Sequence, residues 1–115
     1  RQRQMCIRDS FDNPYCLIGH THHPLHIVED APGDLNIIPP FNDEKFSLED
    51  QRVILNPGSV GQPRDDDPRA AYALLDTEKL TWQFGRVSYP IAETQRQMRE
   101  AGLPYALAER LSFGW

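Results

Sequence analysis

Three histidines in four positions follow a glycine in Gly19-His20-Thr21-His22-His23-Pro24, directly after a short apolar run at residues 15–19. Neutral imidazole is a common ligand for first-row transition metals, and the preceding glycine lets the backbone turn sharply enough to aim rings at one point. In an extended segment residues two apart face the same way, so His20 and His22 are the candidate metal ligands, for one centre or two adjacent ions. Ligation needs neutral rings, so activity built on them should fall in acid. Taken alone, G-H-x-H is a weak signal, and a polar loop of solvated histidines is its other reading. His23 is placed at the solvent or beside a ligand; His26, in a possible strand, is structural.

A second constellation, Asn56-Pro57-Gly58-Ser59-Val60-Gly61-Gln62-Pro63-Arg64-Asp65, lies at the end of another apolar stretch. Asn56 is expected to cap the turn and Ser59 to hydrogen-bond within it, so that the loop shapes a site through backbone geometry. Arg64, whose guanidinium matches two phosphate oxygens, joins Asn56 and Ser59 as the candidate substrate-binding set. A salt bridge from Arg64 to Asp65, Asp66 or Asp67 is the competing reading, and that acidic triplet reads as a solvated turn. No residue is assigned as a catalytic acid or base.

These loops must be held by strands. Residues 15–19 read as a buried strand emptying into the histidine loop, and residues 52–56 as a second strand closed by Pro57 and Gly58. Residues 25–28 and 35–38 could each be strands, but Pro32, Gly33, Pro39 and Pro40 make residues 29–50 mostly loop. Residues 70–76 and 80–89 form a hairpin around Thr77, Glu78 and Lys79. Leu80, Trp82 and Phe84 share one face, whereas Val87 and Tyr89 have the opposite parity, so a bulge at Gly85 or Arg86 is expected. Trp82, Phe84 and Tyr89 belong to the core rather than to a base-stacking platform. A helix over residues 91–101 stops at Gly102, and a second begins at Pro104 with Leu103, Leu107 and Leu111 in line. Strands first and helices last make the fold class α+β or layered α/β.

The 115 residues, 39% hydrophobic and 25% charged, suit one globular domain. A net charge of −5 opposes stable nucleic-acid binding driven by charge alone, and phosphate chemistry would need a metal. No apolar stretch approaches the ~20 residues of a bilayer span. Two cysteines are too few for a disulfide framework, and a reducing, cytoplasmic setting is expected. Residues 1–10, with three arginines and no apolar period, read as a non-native or disordered segment, leaving residues 11–115 as the domain.

GHTHHP followed by NPGSVGQPRD, with the later PRAAYALLD, RVSYP and GLPYALAERL, resembles the C-terminal half of the calcineurin-like metallophosphoesterase superfamily, in its bacterial phosphodiesterase and phosphatase branch. The resemblance covers residues 15–111. It implies stacked β-sheets flanked by helices and hydrolysis of phosphate esters at a centre of two divalent metal ions, whether manganese, iron, zinc or nickel. His20 would bind one ion and His22 the other. The family's D-x-H, G-D-x-x-D and G-N-H motifs are absent; Gly33-Asp34-Leu35-Asn36-Ile37 starts like the second but lacks its last aspartate and follows the histidines. The expectation is therefore a truncated phosphoesterase with two of its ligands, inactive alone. A small zinc-binding module using His20, His22, His23 and His26, or a non-catalytic interaction domain, is the alternative.

Overall fold

The computed structural model describes residues 12–115, so the reading of residues 1–10 lies outside the described residues. Among the described residues, seven strands precede the helices: β1 Tyr15–Leu17, β2 Pro24–Ala31, β3 Asp34–Ile38, β4 Lys45–Ser47, β5 Arg52–Pro57, β6 Ala70–Asp76 and β7 Thr81–Val87. Two helices follow, α1 Ile91–Glu100 and α2 Tyr105–Glu109, the second running into a 3₁₀ turn at Arg110–Ser112. The strands make two sheets, ordered β1-β5-β2-β3 and β4-β7-β6. Val28, Val53 and Leu55 from the first meet Leu48 and Trp82 from the side of the second, with Phe46, Ala73 and Leu80 packed around them. The alternation of inward side chains on β2, β5 and β7 builds this interior, as in other two-sheet packings.

Residues 29–50 contain more strand than their prolines foretell. β2 continues to Ala31 and turns back antiparallel into β3, and β4 pairs with β7 from Lys45↔Gln83 to Ser47↔Thr81. Pro32 sits in the turn, and Pro39 and Pro40 fall after β3 ends, so none of them interrupts a ladder. The expected burial of β1 is also corrected. It is an edge strand, parallel to β5, and Leu17 remains 56% exposed. β5 is the central strand, with Val53, Ile54 and Leu55 all buried.

The β6–β7 hairpin has the predicted turn, where Asp76 Oδ1 accepts the backbone N–H groups of Glu78 and Lys79. It has no bulge: pairing runs unbroken from Ala70↔Val87 to Asp76↔Thr81. The parity change at Val87 has another cause. After Trp82 and Phe84, the next inward position is Arg86, whose side chain is only 4% exposed and paired with Asp65, while Val87 stays on the outer face at 52% exposure. A buried ion pair occupies the slot that an apolar residue would have filled. Opposite Gly85, the Tyr72 ring covers the space a Cβ would need.

α1 ends as predicted, with Gly102 in the left-handed region at φ 73 and its N–H donating to the Arg99 carbonyl. The leucine stripe of the second helix is corrected. Leu103 and Leu107 are exposed, and Ala108 and Leu111 are the buried residues. α2 is only five residues long and tightens into a 3₁₀ turn, so a four-residue spacing does not persist. Its contact with α1 is polar at the centre: buried Gln95 donates from Nε2 to the Ala108 carbonyl and to Ser112 Oγ.

Candidate metal centre

The histidine loop connects edge strand β1 to β2, and the loop after β5 lies directly against it, because β5 pairs with both strands. Asn56 is the junction. It is 0% exposed, and every group on its side chain that can bond is engaged with one of the two loops. Its Nδ2 donates to Thr21 Oγ1 at 2.9 Å and approaches the Gly19 carbonyl at 3.4 Å; its Oδ1 accepts the Gly58 N–H at 2.9 Å. The turn-capping role expected for Asn56 is thus joined by a cross-loop one that sequence spacing did not show. Gly58 is required there twice over, at φ 83 and with a Cβ position 3.0 Å from Ala71 Cβ.

The expectation that His20 and His22 lie on an extended segment is overturned. Both are left-handed, at φ 72 and φ 62, and the Thr21 N–H closes back on the Gly19 carbonyl at 2.9 Å. Positive φ is uncommon for a side chain with a Cβ, and such strain, of order 1–3 kcal/mol per residue, gathers at functional sites. A tight turn therefore replaces the extended segment that had been expected to orient the two residues.

His22 is half-buried and its Nδ1 lies 2.7 Å from the Gln62 backbone carbonyl. A carbonyl only accepts, so the proton of the neutral ring sits on Nδ1 and the lone pair on Nε2, the arrangement in which ring-nitrogen ligands are commonly held. His20 is exposed, and so is His23, whose backbone N–H reaches Thr21 Oγ1 at 3.4 Å. His26 is in another environment altogether. It is 4% exposed between the sheets, with its ring centroid 4.9 Å from Phe46 and 6.4 Å from Trp82, and its buried Nε2 has no partner among the described residues. Burial pushes its pKa below the ordinary value of 6.5.

Ser59 Oγ accepts the Gln62 N–H at 3.0 Å, and the exposed Arg64 donates from Nη2 to Gln62 Oε1 at 3.1 Å. The acidic triplet is not simply a solvated turn. Asp65 pairs with Arg86, and Asp67 binds Arg69, with Arg69 Nη2 at 2.6 Å from Oδ2, which holds the Asp67 carboxyl below its usual range. Arg86 was the residue sequence reasoning missed, and its inward parity after Phe84 was the available signal.

Among the described residues, no three His, Cys, Asp or Glu side chains converge on a possible cation. The four-histidine zinc alternative lacks support accordingly, since His26 is enclosed by Phe46 and Trp82. The carbonyl on Nδ1 suits the His22 ring to donate from Nε2.

No family model matches the chain. A solved metallophosphoesterase from Sphaerobacter thermophilus is 49% identical and superposes with a TM-score of 0.87, over 93% of this chain and 44% of that one. An uncharacterized protein of Methanocaldococcus jannaschii is 36% identical over 98 residues, 84% of this chain and 38% of that protein. In fold and sequence together, the chain is similar to part of a metallophosphoesterase. It spans less than half the length of either relative.

Proposed function

We propose that the chain supplies the C-terminal part of a phosphoesterase whose centre holds two divalent ions, with His20 and His22 as its contribution to the ligands. The observation that carries this reading is the 2.7 Å bond from His22 Nδ1 to the Gln62 carbonyl, which leaves Nε2 as the donor. Bound divalent ions would polarise a phosphate ester and make water a nucleophile near neutral pH. The chain's own residues do the positioning: Asn56 ties the two loops together, Ser59 fixes the Gln62 peptide, and Gln62 orients His22. Arg64, exposed beside this loop and hydrogen-bonded to Gln62, can reach a substrate phosphate.

The remaining ligands belong to polypeptide outside these 115 residues, and the metal's identity is left to titration among manganese, iron, zinc and nickel. Among the described residues no helix is long and apolar enough to cross a membrane. The test is hydrolysis of a model phosphomonoester and phosphodiester with added manganese, by the chain alone and within a longer polypeptide carrying D-x-H, G-D-x-x-D and G-N-H. The account expects negligible turnover alone and metal-dependent turnover in the longer form. A longer form that binds metal yet hydrolyses neither ester would refute it.

A further inference from the structure

Gln62, whose carbonyl orients His22, is held from both sides, and the hold reaches β7, outside the proposed centre. On its N-terminal side, Ser59 Oγ holds the Gln62 N–H while the Ser59 carbonyl accepts the Ala71 N–H at 2.9 Å. On its C-terminal side, Pro63 is fully buried and Asp65 pairs with Arg86. Arg86 also donates from Nη1 to the carbonyls of Asp67, at 3.3 Å, and Arg69, at 3.0 Å, and its guanidinium carbon stands 5.4 Å from the Phe84 ring centroid. One buried guanidinium thus fixes three points of the segment that carries Gln62.

The pair is an expensive way to stabilise a fold. Burying both charges costs desolvation energy that mutual attraction often fails to recover, and Asp65 Oδ1 is buried with no hydrogen-bond partner among the described residues. An apolar residue at the inward position after Trp82 and Phe84 would fill the slot at lower cost. What the ion pair provides and an apolar residue cannot is direction: a fork of donors that sets where the loop's carboxylate and carbonyls lie.

We propose that Asp65 and Arg86 are positioning residues for the His22 imidazole, holding the Gln62 carbonyl on Nδ1 and so keeping Nε2 available as a metal donor. This rests on the reading of His22 as a ligand, but its first consequence is visible without any metal. In long-range ¹H–¹⁵N spectra of the 115-residue chain at alkaline pH, His22 carries its proton on Nδ1. Asp65→Asn shifts His22 toward a mixture of tautomers and weakens binding of Zn²⁺ alone by about tenfold, in line with the loss of an outer partner of a ligand.

Because breaking a buried pair on one side can unfold a small domain, the double variant Asp65→Leu/Arg86→Met is measured beside it, replacing the pair by apolar volume. It should fold, by circular dichroism, and show the same tautomer mixture; Asp65→Glu should restore the wild-type tautomer. The proposal is overturned if both Asp65→Asn and the double variant are folded and keep the wild-type Nδ1 proton. A tautomer change in Asp65→Asn, together with a longer polypeptide that takes up Zn²⁺ without engaging His22, would uphold the Asp65–Arg86 clamp and refute the ligand assignment, so the two failures are distinguishable.

Discussion

His22 and His26 are four residues apart and occupy opposite physical settings. At the loop rim, half-buried His22 has a strained backbone and a carbonyl on Nδ1. In the sandwich interior, His26 lies on regular β2, packed on Phe46 and Trp82, with a nitrogen that has no partner among the described residues. Backbone conformation and partner, rather than residue type, separate the two settings; under the proposed function the rim ring is a donor and the interior ring fills space.

That contrast breaks most sharply on activity. In a longer polypeptide that completes the centre, His20→Ala or His22→Ala should lower manganese-dependent hydrolysis by more than about 100-fold, beyond what loss of an outer partner costs, whereas His26→Leu should leave the rate within a few-fold. Equal losses at all three positions would erase the distinction. The next effect is on stability. Asn56→Ala strands the Thr21 hydroxyl and the Gly58 N–H and should cost roughly 2–3 kcal/mol in urea unfolding.

Backbone strain gives a smaller and more diagnostic difference. His20→Gly should be more stable than His20→Ala by about 1 kcal/mol, because glycine adopts φ 72 without penalty. The reverse order would mean that the turn is not strained. Smallest at neutral pH is His26→Leu, within about 1 kcal/mol of wild type, since it removes the unpartnered nitrogen along with the ring. Its signature lies in the pH dependence. The unfolded chain takes up a proton near 6.5 while folded His26 resists it, so wild-type stability falls as pH drops from about 6.5 toward the depressed folded value, and the variant loses that slope.

The sequence exposed the parts of this molecule that depend on local chemistry. Glycine, proline and aspartate marked the hairpin turn and the end of α1, and two loop motifs carried the resemblance to a known superfamily. Tertiary choices were hidden. Nothing local showed that residues 34–38 and 45–47 would find sheet partners, because a strand's worth depends on its neighbours. The parity change at Gly85 implied a bulge only under the assumption that inward residues are apolar, an assumption Arg86 violates. The extended backbone expected at His20 and His22 was wrong, since two left-handed residues replace it. Gln62 and Thr21, which orient the site through a carbonyl and a hydroxyl, carry no signal beyond their position in the loops.

The central claim is that His20 and His22 present their rings to divalent cations. Its most direct test is paramagnetic broadening of the four imidazole resonances as Mn²⁺ is added to the 115-residue chain, a readout that works even when binding is weak. The account predicts that the His20 and His22 signals vanish first while His26 persists. Broadening led by His23, or spread without preference over all the histidines, would contradict it.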